Sequence, residues 1–406
     1  MFREENIVII ECGSRYFRVS KGVGDPTRQP LVPQLSALAV PQEVRVPQNG
    51  ENTAGSQDAE ALASEFVCGG AAEQVLSRPD AVHQPIQRGR IVDWERFAAI
   101  CDHALFRELG CRRATNNSPV LLCTPAYWSK RDRERLTQLF FERFNVPAFM
   151  IAEQPLLALY GVGSVTGVAI DIGYETTDVT PVIDGFLQRH AMQTLCMGVK
   201  DLDAHLEKLL RADDQVQAAV GADVLPEFIQ QLKSSGHYTV APTAADIART
   251  EREDIEFRGG KVSVGSARCA FAEPLFAPEL IEQQIASLPE AVHAAITVCD
   301  ADKRVQLSEC LILTGGGSLL PGLRERLEAE LATLFACGET IGDMQVSNLR
   351  FVGAPDYLGE YREHPELFGF LGGIILGKVA VSDSKNFVTK TDYNERGPSA
   401  IHAKNP

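Results

Sequence analysis

Three short stretches carry acids and glycines in the pattern that handles a phosphate or its magnesium ion. In the stretch from Val168 to Gly185, Asp171 ends an apolar run, Gly173 opens a turn, Glu175 and Asp178 follow, and Asp184-Gly185 gives a strong hairpin signal. A carboxylate at the end of a buried strand, next to a glycine turn with exposed amides, can hold a metal-bound phosphate. The same residue types also build ordinary hairpins, where Asp and Gly supply turn geometry alone. The design recurs near the start of the chain, where Ile7–Ile10 leads into Glu11-Cys12-Gly13-Ser14-Arg15 and a second strand from Tyr16. The third stretch runs from Leu311 through Gly315-Gly316-Gly317-Ser318 toward a helical pattern at 321–334, and its glycines let backbone approach a nucleotide closely.

Glu11 and Asp171 stand 160 positions apart, so two strand–acid–turn–strand units predict two similar lobes facing one cleft. With 406 residues the chain is long enough for two full cores. Net charge is −15, which argues against non-specific nucleic-acid binding, since that needs basic surface. The ten cysteines form no CxxC pairs, so neither a zinc site nor a disulfide framework is indicated. No apolar run approaches the ~20 residues of a membrane helix, and the N-terminus does not read as a signal peptide, so a reducing intracellular compartment is expected.

Further along the chain, residues 24–62 are rich in Pro, Gln, Gly and Asn and read as a loop or partly disordered insertion. Ser129 with Asp132 forms a capping box, after which Leu136, Leu139, Phe140 and Phe144 share one helical face. A helix is expected over about 153–160, another at 201–210 followed by a loose stretch, another at 244–252, a hairpin around Gly259-Gly260, and a last helix near 369–381 in which Gly372-Gly373 permits close packing.

The three glycine elements, in this order, resemble the phosphate and adenosine loops of the actin family. The resemblance extends through Pro85-Ile86-Gln87-Arg88-Gly89, Phe141 to Ala148, Gln154, Leu159-Tyr160 and the ending Tyr393 to His402. Only residues 22–84 and 211–245 lack a counterpart. It implies an α/β actin-like fold, shared with Hsp70 and sugar kinases. Each of the two lobes would carry a mixed five-stranded sheet flanked by helices, around a central cleft. The expected division is 1–165, 166–368 and a C-terminal segment 369–406 returning to the first lobe, with outer subdomains near 24–84 and 201–252.

By this resemblance Glu11, Gln154 and Asp171 stand where actin has its metal-side acids and its water-positioning glutamine, so Glu11 and Asp171 are the metal candidates. Asp178 replaces a histidine that orders the attacking water. Arg15 stands in place of a second glycine of the first loop, and Tyr174 and Glu175 replace an aspartate–glycine pair of the second. A carboxylate ~4 Å from a phosphate costs about 1 kcal/mol in bulk water and more in a cleft. Pairing of Arg15 with Glu175 would neutralise the site. The nucleotide cleft, comprising Glu11, Gly13, Ser14, Arg15, Gln154, Asp171, Gly173, Glu175, Asp178, Gly315, Gly316 and Gly317, is therefore expected to be degenerate. No catalytic residue, no required cofactor and at most weak ATP and magnesium binding are expected.

Within the family the chain is most similar to the fungal actin-related protein 9 group of SWI/SNF and RSC chromatin remodellers. That implies a nuclear, non-catalytic scaffold paired with an actin-related protein 7-like subunit. It also implies docking on the helix preceding the ATPase of a Snf2/Sth1-type remodeller. A pointed-end subunit of dynactin and a weak actin-type ATPase are the alternatives. The partner helix would lie in a groove lined by Tyr160, Gly163 and Val165 on one side and Val379, Val381 and Phe387 on the other.

Overall fold

In a computed structural model the described residues are 2–24, 34–41, 66–75, 84–336, 346, 348–382 and 384–404. The chain divides into two compact units. The first gathers Met1–Asp25, Gln29–Ala152 and Leu376–Pro406, and the second contains Glu153–Ile375.

The first unit is built on a sheet that starts with β1 (Val8–Cys12) and β2 (Tyr16–Lys21). All five residues of β1 are buried, as expected of a strand covered on both faces, whereas β2 alternates and buries one face. β3 (Gln34–Ser36), β4 (Val120–Thr124) and β5 (Ala148–Glu153) complete it with the short strand Val388–Thr389. The order is Val388–Thr389, β5, β4, β1, β2, β3. β1 runs antiparallel to β2 and parallel to β4. This sheet has one strand more than the five expected, because β3 pairs with β2 through Leu35 and its neighbours.

β3 and a second short strand, Ala39–Pro41, also correct the reading of 24–62 as loop. Both pair with segments outside that polar stretch, β3 with β2 and Ala39–Pro41 with Phe66–Cys68. Most of the remaining expected insertion lies outside the described residues.

The capping box is present: Ser129 Oγ accepts from the Asp132 amide at 3.1 Å, and Asp132 accepts from the Ser129 amide at 3.1 Å. It starts α1 (Lys130–Gln138), which continues into a wider turn, Leu139–Arg143. Leu136, Phe140 and Phe144 from this segment are fully buried, and Phe140 stacks on Phe149 with centroids 4.5 Å apart. The C-terminal segment docks on the same unit, where Tyr393 Oη donates to Glu142 at 2.8 Å and Phe387 packs edge-on against Phe2.

The second unit repeats the hairpin-plus-parallel-strand arrangement. β6 (Gly167–Ile172) runs antiparallel to β7 (Thr177–Ile183), which also pairs with β8 (Phe186–Leu187) and β9 (Gln193–Leu195). β10 (Leu311–Thr314) lies parallel to β6 on its other side. Five strands form this sheet, as expected.

Helix α2 (Gln154–Gly161) precedes this sheet and ends in a left-handed Gly163. The Gly163 and Ser164 amides bond back to Tyr160 and Leu159, closing the helix. α3 (Val199–Ala212) follows β9. The stretch after it, expected to be loose, holds two further helices, Asp214–Ala219 and Leu225–Ser234. Val216, Leu225, Phe228 and Leu232 supply their apolar face, and Asp213 caps the first of them. The helix expected at 244–252 stops at Ala248.

α4 (Leu323–Ala336) and α5 (Phe368–Ser382) complete the framework. The glycine packing expected of α5 is present within the second unit. A Cβ on Gly372 would lie 1.8 Å from the Leu157 carbonyl oxygen, and one on Gly161 2.5 Å from that of Phe368. Among the described residues no single helix is long and apolar enough to cross a membrane. Of the nine described cysteines none is in a disulfide, and Cys196 alone is exposed.

Candidate nucleotide and partner sites

The two acid-bearing turns have the same backbone construction. Gly13 N–H donates to the Tyr16 carbonyl at 3.0 Å, and Gly173 N–H donates to that of Thr176 at 2.9 Å. A Cβ at either glycine would collide with the same carbonyl, at 2.7 and 2.9 Å. In each unit the acid lies on the strand before the turn and faces a residue seven positions later. Glu11 is opposite Arg18, and Asp171 is opposite Asp178.

Their chemistry differs. Arg18 Nη1 lies 2.6 Å from Glu11 Oε2, and both side chains are largely buried. Glu11 thus spends its charge inside its own sheet. Asp178 accepts from Thr194 Oγ1 at 2.6 Å and lies 3.4 Å from Thr176 Oγ1. Desolvation raises its carboxyl from 3.8 to about 6, against the lowering effect of these two hydroxyls.

In the second turn Glu175 is buried at 2% exposure, and its Oε1 lies 2.6 Å from Lys200 Nζ. Lys200 is a counter-ion the expectation did not name, and Arg15, which it did name, has its guanidinium over the Tyr16 ring at 5.2 Å. Lys200 was missed because it stands 25 residues away, and only the docking of α3 on the turn brings it there. The Val199 and Lys200 amides donate to the Gly173 and Tyr174 carbonyls at 3.0 and 2.8 Å. The turn therefore holds a buried carboxylate that already occupies a cation, and a carboxylate repels a phosphate.

The third glycine run has divided roles. A Cβ on Gly315 would lie 2.1 Å from Asp171 Oδ1, and one on Gly317 would lie 2.2 Å from Ile172 Cγ2. Gly316 faces open space. Two of the three glycines thus serve the packing of this loop onto β6, and the opening expected for adenosine narrows to Gly316. Gln154 opens α2 as its first residue, and Ser14 lies in the first turn. No group of three or more His, Cys, Asp or Glu side chains among the described residues could hold a metal ion.

The residues assigned to a partner groove separate by exposure. Val165, at 52%, Gly163 and the half-buried Tyr160 are accessible in the second unit. Val379, at 61%, is exposed on α5. Val381 and Phe387 are buried core residues of the first unit and leave the set of contact candidates, since Phe387 has no exposure at all. Sequence reading missed Phe186, which is 74% exposed. It follows the left-handed pair Asp184-Gly185, and the Gly185 amide donates to the Val165 carbonyl at 2.8 Å, tying the two turns together. An aromatic directly after a type I′ Asp-Gly turn was the available signal.

Two units, each with an antiparallel hairpin, an acid and a parallel third strand, define an actin-like protein. The chain belongs to the actin family, whose model, described as Actin, matches residues 2–253 and 258–406. Among its relatives is the SWI/SNF and RSC complexes subunit arp9 of Schizosaccharomyces pombe, 27% identical over 522 aligned residues that cover 99% of this chain and 99% of that one. Another is actin-related protein 7 of Arabidopsis thaliana, 27% identical over 401 residues, covering 98% and 99%.

Proposed function

We propose that this chain is a non-catalytic, actin-related scaffold subunit of a SWI/SNF- or RSC-type chromatin remodeller in the nucleus. It would pair with a second actin-related protein and dock on the helix that precedes the remodeller ATPase. The observation that carries this reading is similarity to a protein named as a subunit of those complexes, in an alignment that spans 99% of each chain.

The turns support the non-catalytic half. Phosphoryl transfer depends on positioning and on neutralising charge with metal and donors. Here the first acid is bound to Arg18 and the second turn carries Glu175. With a net charge of −15 the protein acts through its partners, not by gripping DNA. The accessible apolar residues Val165 and Phe186 on adjoining turns suit an amphipathic helix anchored at i, i+3, i+4 and i+7 spacing.

Purification of the tagged chain from its own cells, with identification of the chains that accompany it, tests the assignment. A remodeller ATPase and a second actin-related protein are expected, and a dynactin filament in their place would overturn it. Phosphate release above buffer by the purified chain, abolished by Asp171→Ala, would overturn the non-catalytic half.

A further inference from the structure

Glu175 is a buried carboxylate in the turn between β6 and β7. Burial of a charge is unfavourable unless a partner offsets it. Here the partner is Lys200, in the first turn of α3. That is the wrong end of a helix for a cation, because the macrodipole there is positive. The usual acid is also present, with Asp201 Oδ2 accepting from the Gly198 amide at 2.9 Å. Glu175 therefore accounts for the placement of Lys200, and Lys200 for the burial of Glu175.

The backbone around the pair is interlocked. A Cβ on Gly198 would lie 2.6 Å from the Tyr174 carbonyl carbon and oxygen and 2.7 Å from the Glu175 nitrogen. The amides of Gly173, Val199 and Lys200 all donate to carbonyls of the same turn, with Lys200 Nζ 6.0 Å from the Tyr174 ring centroid. Turn and helix start form one joint, with the Glu175–Lys200 ion pair inside it.

We propose that Glu175 is a built-in anion: with Lys200 it orders this turn from within, in place of a phosphate group, and its removal uncovers an anion site on Lys200. The proposal deepens the non-catalytic reading. ATP turnover would overturn that reading, whereas the outcomes below bear on the internal anion alone.

The test is chemical rescue in the full-length chain, read as thermal midpoint. Glu175→Ala is expected to lower the midpoint by several degrees, and millimolar inorganic phosphate or tripolyphosphate to restore most of the loss. The wild type should show no shift with either anion or with magnesium ATP, and Glu175→Ala/Lys200→Met should lose the rescue. If Glu175→Ala does not fold, Glu175→Gln keeps the side chain's volume and supports the same comparison. A wild type stabilised by these anions, a Glu175 variant with an unchanged midpoint, or a variant that phosphate leaves unrescued would each overturn the proposal.

Discussion

Glu11 and Arg18 face each other across the first hairpin and join in a 2.6 Å ion pair within the sheet, so the acid of the first turn is neutralised by its own strand partner. Breaking a buried pair from one side leaves an uncompensated charge and costs about 3–5 kcal/mol. Arg18→Met should lower stability by that order, and Glu11→Gln/Arg18→Met should recover much of it. A double-mutant cycle from chemical denaturation checks this, with strong coupling expected between the two sites.

Asp178 gives the chain a characteristic response to pH. Its folded-state carboxyl is raised from 3.8 to about 6, so the folded state favours the protonated form. The stability this contributes is fully present below pH 3.8 and is lost as pH rises through about 6. Asp178→Asn should remove that slope and make the protein more stable than wild type at pH 7. Midpoints measured from pH 4 to pH 8 for both proteins decide the matter, and parallel curves would show that Asp178 does not titrate in this window.

A glycine-to-alanine series should separate packing from openness in the third loop. Gly316→Ala meets no atom within 4 Å and should change stability by no more than about 0.5 kcal/mol. Gly317→Ala and Gly372→Ala would press on Ile172 and on the Leu157 carbonyl, and each should cost about 1–3 kcal/mol or more. Differential scanning calorimetry of the three variants is sufficient.

Partner binding should follow the exposed turns and not the buried tail. Phe186→Asp or Val165→Asp is expected to weaken binding to the remodeller's pre-ATPase helix at least tenfold, about 1.4 kcal/mol, with an unchanged thermal midpoint. Phe387→Asp, placed in the core, should destabilise the protein itself. Calorimetric titration with a synthetic helix provides the affinities.

Where the sequence carried local physical rules, it was legible. Hairpins, the Ser129–Asp132 box and the glycine contacts of α5 all follow from turn chemistry, capping and the absence of a Cβ. The parallel placement of β10 beside β6 was readable only through the family resemblance, since periodicity does not order strands within a sheet. Lys200 escaped because its partner lies 25 residues upstream and a lysine in a helix looks like solvated surface. Arg18 escaped for a related reason, because alternation along β2 does not say which side chain will meet an acid across the ladder. Phe387 was misplaced as a surface anchor because an apolar residue near a chain end reads the same whether it covers a partner or fills a core.

The distribution of thiols has a practical consequence. Burial pushes the Cys12, Cys101 and Cys123 thiols well above their usual range, and Cys68 up to about 12, so these sulfurs are held in their unreactive form. Cys196, the one exposed cysteine among the described residues, stands two positions before Gly198, the glycine that packs on the Tyr174–Glu175 backbone. A maleimide dye attached there would act as a spectroscopic reporter of the Glu175–Lys200 joint, recording its opening or the arrival of an anion without any change to the pair itself.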